Sequence, residues 1–305
     1  MNKTLLVVGY GSIGARHSRL AAAMGADVAC VTANAATPYP RFSSVAEALA
    51  RSKPNYVLVA NQTARHAQTL RELSLAGFRG RTLVEKPVFA ALGDAPAPQD
   101  LAVFVAYNLR FHPLVQQLHQ RLAALPIYSA SFYAGQYLPQ WRPDTNYRSS
   151  YSARKDQGGG VLRDLSHEID LALWLCGRAR RVTAIGGHFS DLDMDSDDVF
   201  SILSINDRCP AISISVNYLD RMPRRLITIN AQDLTASLDL IAGTLTINGE
   251  TTVREVERDA TYHAQLHAFL GNDASALCTF EEGCEVLRFV EAAESASMNQ
   301  CWTRP

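Results

Sequence analysis

Two short segments contain the residue types that acid–base chemistry requires. The first is Glu85-Lys86-Pro87, which directly follows the apolar run Thr82-Leu83-Val84. A lysine at the end of a buried strand can donate a hydrogen bond to a substrate oxygen and stabilise the negative charge that develops there. A solvated surface lysine before a proline is the competing interpretation, and this segment alone does not decide between the two.

The second segment begins with Gly158-Gly159-Gly160 and continues into a helix predicted over 161–175. In it, Asp164, His167 and Asp170 recur every three residues. Residues at i and i+3 share a helical face, so we predict that Asp164 and His167 face the same cleft. Histidine is the natural general base for a hydroxyl group, and a nearby carboxylate orients it. The alternative is an ordinary core histidine in a helix that packs through its leucines.

A glycine-rich turn near the start of the chain predicts a dinucleotide site. The apolar run Thr4–Val8 enters a Gly-x-Gly-x-x-Gly pattern, and helix-compatible residues follow it. The first glycine permits the turn, the second lets the backbone approach a diphosphate, and the third lets the helix pack on its strand. The helix N-terminus then faces the diphosphate. The predicted cofactor contacts in this turn are Gly9, Gly11, Ser12, Ile13 and Gly14.

The residues after the second predicted strand bear on the choice between NAD and NADP. NAD-selective proteins place Asp or Glu there for the ribose 2′-hydroxyl, whereas this chain has Thr32-Ala33-Asn34. No carboxylate repels a 2′-phosphate, so the predicted cofactor is NAD or NADP, with a slight preference for NADP. Arg16 and Arg41 are the candidates to neutralise that phosphate. The strand ends extend the predicted cofactor edge to Thr32, Asn61, Thr63, His66, Glu85 and Lys86.

Aromatic and basic residues in the middle of the chain predict the substrate site. Asn108 and Arg110 follow an apolar strand, and the segment 137–151 is rich in tyrosine and arginine. Rings with interleaved arginines suit a polar substrate that has sugar faces and an anionic group. An irregular loop whose aromatic residues cover the core explains the same segment equally well. The predicted substrate contacts are Asn108, Arg110, Trp141, Arg142 and Tyr147.

These side chains need elements that hold them. Through residue 107, apolar strands alternate with helices, which is typical of a parallel sheet with right-handed crossovers. Beyond it, short strands follow one another between turns, with helices predicted over 161–175, 262–269 and 281–296. We therefore predict an α/β protein of two domains. Residues 1–107 form a Rossmann doubly wound parallel sheet, and 108–305 form an α/β domain with an open, mainly antiparallel sheet.

Composition limits the function classes. The 305 residues are 47% hydrophobic and 19% charged, with a net charge of −1. That length fits two domains, and that charge gives no field for nucleic acid or an anionic membrane. No run approaches the ~20 apolar residues of a membrane span, and a strand starting near Lys3 leaves no room for a signal peptide. Six scattered cysteines without Cys-x-x-Cys predict reduced thiols in a cytoplasmic protein without a metal site. The acidic run 191–198 lacks the glycine and the acid of a calcium loop, so we predict a solvated turn.

Together these motifs resemble the glucose–fructose oxidoreductase / inositol dehydrogenase (Gfo/Idh/MocA) family. The resemblance implies NAD(P)-linked oxidation or reduction of a sugar or cyclitol, with Lys86, Asp164 and His167 at the catalytic positions. It also implies homo-oligomers, dimers or tetramers, formed through the open sheet. The matching motifs are Gly9-x-Gly11-x-x-Gly14, Glu85-Lys86-Pro87, Tyr107-Asn108-x-Arg110-Phe111, and Gly158-Gly159-Gly160 before Asp164, His167 and Asp170.

Two departures from the family pattern affect the predicted site. Asp164 and His167 are separated by three residues, where most members have four, so their side chains approach at a different angle on a helix. Asn61-Gln62 replaces the family's usual Thr-Pro after the third strand, which alters the contacts available to the cofactor.

The sequence therefore predicts an NAD(P)-dependent oxidoreductase that transfers hydride between nicotinamide and the hydroxyl or carbonyl group of a sugar or nucleotide sugar. Motif similarity to one subgroup associates the chain with bacterial surface-polysaccharide metabolism. Two alternatives stay open. One is a reductase of an imine, an enone or a linear tetrapyrrole, and the other is a non-catalytic NAD(P)-binding regulator.

Overall fold

A computed structural model describes residues 3–94, 100–141, 146–271 and 273–305. Its helices are α1 (Ser12–Ala23), α2 (Val45–Ser52), α3 (His66–Leu75), α4 (Pro113–Leu122), α5 (Val161–Asp164), α6 (His167–Cys176), α7 (Ala260–Leu270) and α8 (Phe280–Asn299). Its strands are β1 (Thr4–Val8), β2 (Asp27–Val31), β3 (Arg41–Phe42), β4 (Tyr56–Val59), β5 (Arg81–Val84), β6 (Ala102–Val105), β7 (Ile127–Gly135), β8 (Ala179–Gly187), β9 (Val199–Asn206), β10 (Ile212–Asn217), β11 (Arg224–Ala231), β12 (Leu234–Asp239), β13 (Thr244–Ile247), β14 (Glu250–Val253) and β15 (Cys278–Thr279).

The chain divides into two compact units. One comprises the described residues of Met1–Phe111 and Arg258–Cys284, and the other those of His112–Glu257 and Glu285–Pro305. The first change of unit lies close to the predicted boundary after residue 107. The return of 258–284 to the first unit is an addition that the sequence did not indicate.

The first unit contains a seven-stranded sheet in the order β15-β6-β5-β4-β1-β2-β3. All neighbouring strands are parallel except β15, which runs antiparallel to β6. Strands β1, β4 and β5 are mainly apolar and are buried after their first residue, as expected for a parallel sheet covered on both faces. This order confirms the predicted doubly wound Rossmann fold.

The returning segment explains why the first unit needs residues so far along the chain. Leu266, Phe269 and Leu270 of α7 are buried in the same core cluster as Leu5 and Leu58 of the central strands. The helix thus covers apolar surface of the Rossmann sheet that the first 111 residues leave uncovered.

The second unit contains an eight-stranded sheet in the order β14-β13-β12-β11-β7-β10-β9-β8. Only β7 and β10 pair in parallel, and every other neighbouring pair is antiparallel. Buried and exposed residues alternate along β9 and β10, which is the pattern of a sheet with one face on a core. The predicted open, mainly antiparallel sheet is confirmed.

Three strands escaped prediction, and one predicted helix is wrong. β3 and β15 have only two residues each, and β14 consists of Glu250-Thr251-Thr252-Val253, so none of them has an apolar alternation to detect. The single helix predicted over 161–175 is two helices, α5 and α6, separated by Leu165 and Ser166.

Among the described residues, no helix has the length and apolar character needed to cross a membrane. All six cysteines are free thiols, and five of them are buried.

Candidate active site

The glycine turn has the geometry that a diphosphate requires. Gly9 has φ of +100°, and a Cβ there would lie 2.6 Å from the backbone nitrogen of Asn61. A Cβ on Gly14 would lie 2.1 Å from the carbonyl oxygen of Gly9, so α1 can pack closely on β1 only with glycine at this position. At Gly11, by contrast, a Cβ would meet nothing within 4 Å. Gly9 and Gly14 therefore shape the turn, and Gly11 leaves open space in front of the backbone.

The N-terminus of α1 is suited to an anion. Gly11 is the N-cap and supplies no side-chain hydrogen bond, and the first turn, which starts with Ser12 and Ile13, contains no acidic residue. The first amides of the helix and its partial positive charge are thus not neutralised by the helix itself. This is the arrangement predicted from the glycine pattern.

A cavity of about 870 Å³ lies along the carboxyl ends of β1, β2 and β4 in the first unit. Thr32, Ala33 and Asn61 line it, together with the cations Arg41 and Arg65. Arg41 donates a hydrogen bond to the carbonyl oxygen of Ala33 at 3.3 Å. The carboxylate of Glu47, also in the lining, is held by the amide and hydroxyl of Ser43, which lower its pKa.

These residues fit a dinucleotide cofactor. There is open space in front of the backbone at Gly11, and the volume of the cavity lined by Thr32 lies within the range of small-molecule and cofactor pockets. Asn61 donates from its amide to Thr69 at 2.9 Å, but its buried Oδ1 has no hydrogen-bond partner among the described residues. A buried acceptor without a partner is costly unless a ligand donates to it. Asn61 thus points to a bound donor at the place where the sequence predicts the cofactor.

The turn Glu85-Lys86-Pro87 follows β5 and is held by buried histidines. The Lys86–Pro87 peptide bond is cis. His66, at the start of α3, is 1% exposed. Its Nδ1 lies 3.2 Å from the carbonyl oxygens of both Pro87 and Val88, and its Nε2 lies 3.2 Å from that of Asn61. Burial lowers the pKa of His66. Lys86 itself is half-buried.

The remaining predicted cofactor residues differ in what surrounds them. Thr63 is half-buried and begins a short 3₁₀ helix. His66 does not line the cavity, and its ring faces the backbone of the Lys86 turn. Oε1 of Glu85 lies 2.8 Å from Nε2 of His17, within hydrogen-bonding distance. For His66 and Glu85 the geometry thus shows partners within the protein, and cofactor contact stays a prediction.

In the second unit, Asp164 is the centre of a hydrogen-bond network. Its side chain ends α5 and is 6% exposed. The hydroxyl of Tyr151 donates to Oδ1, and the hydroxyl of Tyr218 donates to Oδ2 at 2.6 Å. Burial, reinforced by the Asp164 carboxylate, raises the pKa of Tyr218 well above its ordinary value. Asp164 therefore lies in a fixed orientation between two phenol donors.

The break between α5 and α6 corrects the prediction that Asp164 and His167 lie on one helix. Leu165 leaves helical geometry with φ of −96° and ψ of 29°, and His167 begins the next helix. Because the helix is interrupted between the two residues, the i, i+3 relation does not set how their side chains approach.

The acidic run contributes directly to this architecture, contrary to the predicted solvated turn. Asp197 caps α5: its carbonyl oxygen accepts from Val161 N–H at 2.9 Å, and its carboxylate accepts from Leu162 N–H at 2.9 Å. Burial raises the pKa of Asp197 to about 6, although the Leu162 amide opposes the shift. Gly160, with φ of +117°, leaves room for that carboxylate, since a Cβ there would lie 2.2 Å from Asp197 Oδ1.

The structure surrounds the predicted substrate residues in different ways. Trp141 is half-buried, and its ring meets that of Tyr218 edge-on at 5.2 Å. Its buried Nε1 has no partner among the described residues. Such an indole N–H is available to a ligand. The Tyr147 hydroxyl accepts from the backbone N–H of Asp193 at 3.1 Å. Arg142 lies outside the described residues.

Asn108 and Arg110 have structural partners in the first unit. Asn108 donates to the Thr261 hydroxyl at 2.7 Å, and Arg110 pairs with Glu282 at 3.1 Å. Arg110 is only 1% exposed. The geometry thus gives Arg110 a role in joining 258–284 to the Rossmann fold, and its contact with substrate stays a prediction.

Tyr151, Tyr218 and Asp197 are the residues that sequence reasoning missed. Tyr218 ends a predicted strand, and no local pattern connects it to Asp164, which precedes it by 54 residues. Tyr151 lies in the predicted aromatic segment, but nothing in the sequence connects it to Asp164. Among the described residues, no cluster of three or more His, Cys, Asp or Glu side chains is arranged to hold a metal ion.

Comparisons with known proteins agree with this geometry. Residues 3–104 match a family model described as the oxidoreductase family, NAD-binding Rossmann fold (GFO_IDH_MocA), and 127–228 match the GFO/IDH/MocA C-terminal domain. No curated protein matches the sequence.

Solved structures resemble the chain over its full length. Levoglucosan dehydrogenase in complex with NADH is 18% identical, with 100% of this chain and 99% of that chain covered and a TM-score of 0.85. The UDP-N-acetylglucosamine 3-dehydrogenase GnnA from Acidithiobacillus ferrooxidans is 23% identical, with coverage of 97% and 98% and a TM-score of 0.78. The WlbA dehydrogenase from Bordetella pertussis, in complex with NADH and UDP-GlcNAcA, is 20% identical, with coverage of 100% and 98% and a TM-score of 0.80. At these identities the likeness establishes the fold.

Proposed function

Because the chain belongs to the GFO/IDH/MocA oxidoreductase family, we propose that it is an NAD(P)-dependent dehydrogenase or reductase of a sugar or nucleotide sugar. The observation that carries the proposal is the open space at Gly11, beside a cavity of about 870 Å³, in the same sheet whose strand β5 leads into Lys86. Solved structures of the same fold include dehydrogenases named for levoglucosan and for UDP-N-acetylglucosamine. A role in bacterial surface-polysaccharide metabolism is a further proposal from motif similarity.

In the proposed mechanism the cofactor is held by the Gly9–Gly14 turn, Thr32 and Asn61. When bound, the nicotinamide supplies the hydride acceptor or donor. Lys86 donates a hydrogen bond to the reacting oxygen of the substrate and stabilises its developing negative charge. His167 removes the hydroxyl proton during oxidation and returns it during reduction. Asp164, fixed by two tyrosines, orients His167 or the substrate, and the Trp141 indole donates to a substrate hydroxyl.

The decisive experiment is turnover with a panel of free sugars and nucleotide sugars, followed by the absorbance of the reduced cofactor. Once a substrate is found, Lys86→Ala and His167→Ala should each lower kcat by at least about 100-fold, the range of general acid–base catalysis. Lys155→Ala is the matched control, because Lys155 is an exposed lysine of the other unit. Full turnover by either site variant would sink the mechanism, and tight cofactor binding without turnover would favour a regulator.

We further propose that the cofactor site accepts NADP at least as well as NAD. The cavity has no carboxylate at 32–34, and Arg41 is anchored beside Ala33 by a 3.3 Å hydrogen bond. Fluorescence titration with NADH and NADPH tests this directly. Arg41→Ala should weaken NADPH binding more than NADH binding, and equal losses for both cofactors would exclude Arg41 as the 2′-phosphate ligand.

We propose dimers or tetramers that form through the outer face of the eight-stranded sheet. Leu203 and Ile185 are 54% and 73% exposed there, and Trp302 beside them is 42% exposed. A groove of about 520 Å³, lined by Leu203, Ser213 and Trp302, crosses this face. Light scattering after size exclusion measures the oligomer. Leu203→Glu should dissociate it, and an unchanged mass would assign the contact to another surface.

A further inference from the structure

The carboxylate of Glu85 connects α1, the helix of the glycine turn, to the turn that carries Lys86. One oxygen, Oε1, lies 2.8 Å from Nε2 of His17 on α1. The other, Oε2, accepts the backbone N–H of Lys86 at 3.3 Å. A single side chain thus links the element that begins at the glycine turn with the peptide unit of the proposed catalytic lysine.

His17 is placed for this one contact. It is fully buried, and its ring meets that of Tyr262 edge-on at 5.5 Å. Its Nδ1 has no partner among the described residues, so the ring's polar contact in that part of the chain is Glu85. Burying an imidazole with one nitrogen unpaired costs free energy that a leucine would not cost. Packing alone therefore does not account for a histidine here.

We propose that His17 is a positioning residue that sets the direction of the Lys86 ammonium group through Glu85. The inference rests on the proposed role of Lys86 at the nicotinamide. The first backbone amides of α1 form the proposed diphosphate site. The His17–Glu85 contact therefore fixes the position of Lys86 relative to the helix that would bind the cofactor. A misplacement of about 1 Å in a reacting group can cost about 100-fold in rate, so fixing this position favours catalysis.

Two substitutions separate positioning from packing. In His17→Gln, the side-chain amide can reach and donate to Glu85 as Nε2 does. In His17→Leu, the volume is filled but nothing donates. If His17 is purely structural, the behaviour of Lys86 should depend on the volume of the side chain at position 17. If His17 positions Lys86, that behaviour should depend on whether this side chain donates a hydrogen bond to Glu85. We therefore expect His17→Gln to retain the native behaviour of Lys86 and His17→Leu to lose it.

The environment of Lys86 can be observed directly, because the chain has only four lysines, Lys3, Lys53, Lys86 and Lys155. Reductive methylation with ¹³C-formaldehyde gives each dimethyl-lysine a separate NMR signal, and Lys86→Arg identifies the one from Lys86. In the wild-type protein and in His17→Gln, this signal should coincide and should shift on addition of NADH. In His17→Leu without cofactor, the Lys86 signal should have a different chemical shift from that in the wild-type protein. The change of this signal on addition of NADH should also be smaller.

His112→Ala is the matched control. His112 is also a buried histidine, but it caps α4 in the other unit, where it accepts from Leu114 N–H at 3.3 Å. This variant should lose stability and leave the Lys86 signal unchanged. Once a substrate is known, His17→Leu should lower kcat about 10- to 100-fold while KM for the cofactor changes less than about threefold.

The outcomes distinguish this inference from the proposed function. A native Lys86 signal and a native NADH response in His17→Leu would overturn the positioning role. If the Lys86 signal of the wild-type protein does not shift when NADH binds, the result counts against the proposed function. The spectra of the two His17 variants without cofactor would still test the positioning role. Should His17→Leu fail to fold, His17→Asn, which is polar but too short to reach Glu85, replaces it and should likewise shift the Lys86 signal.

Discussion

Replacing Asp197 with asparagine should change how the stability of the protein depends on pH. Asparagine keeps an oxygen that can accept from Leu162 N–H, so the cap of α5 survives. The ionisable group, whose pKa burial raises to about 6, is removed. Any difference between Asp197→Asn and the wild-type protein that varies with pH therefore reports on this carboxylate.

The sign follows from proton linkage. Between pH 3.8 and about 6 the folded protein binds more protons at Asp197 than the unfolded chain does, so the free energy of unfolding falls as pH rises through this window. The full pKa difference corresponds to about 3 kcal/mol, since one pKa unit is about 1.4 kcal/mol. Lowering the pH from 7.5 to 5.0 covers part of the window and should stabilise the wild-type protein by about 1.4 kcal/mol through this residue alone.

Urea unfolding of both proteins at several pH values between 5.0 and 7.5 measures the effect. The difference in free energy of unfolding should favour Asp197→Asn most at pH 7.5 and should be smaller by about 1.4 kcal/mol at pH 5.0. Asp191→Asn removes the same charge from an exposed residue of the same loop and should show a flat difference. A flat difference for Asp197→Asn as well, or one that grows on acidification, would refute a raised pKa of the Asp197 carboxyl in the folded protein.

Three further outcomes follow from the site. Gly11→Ala should leave the melting temperature unchanged, because its Cβ meets nothing within 4 Å, and should weaken NADH binding at least about tenfold in a fluorescence titration; native affinity would place the diphosphate elsewhere. Tyr218→Phe should cost about 1–3 kcal/mol in urea unfolding, since it removes a buried donor from Asp164, and a neutral effect would contradict that hydrogen bond. Arg110→Met should destabilise the protein by a few kcal/mol while NADH binding by calorimetry stays within about threefold; loss of substrate affinity without loss of stability would instead restore Arg110 as a substrate contact.

Most of the Rossmann unit could be predicted because its signals are local. A buried strand reads as an apolar run, and the turn at Gly9–Gly14 needs glycine for backbone reasons that the spacing itself reveals. The segment 258–284 could not be assigned to that unit in the same way. An amphipathic helix shows that it has an apolar face, but not which sheet that face covers.

The candidate site shows the same division between local and tertiary information. Lys86 and the glycine cradle lie at strand ends, as the alternation of elements predicts. The ion pair of Arg110 with Glu282 could not be recognised, because the two residues are 172 positions apart. The capping role of Asp197 was equally hidden, since a run of aspartates resembles a solvated loop until the fold places one of them at a helix N-terminus.

The break after Asp164 also bears on how Asp164 and His167 divide the chemistry. On one continuous helix, a spacing of three residues instead of four would rotate one side chain relative to the other, and the assignment of roles would depend on that rotation. Here α5 ends at Asp164 and α6 begins at His167, so the spacing does not fix their approach. Both carboxylate oxygens of Asp164 already accept from phenols, which holds the side chain in one orientation beside its neighbours. We infer that His167 carries the proton and Asp164 holds the geometry. Asp164→Asn, which retains an acceptor for one tyrosine, should therefore keep more activity than His167→Ala once the substrate is known, and the reverse order would exchange their roles.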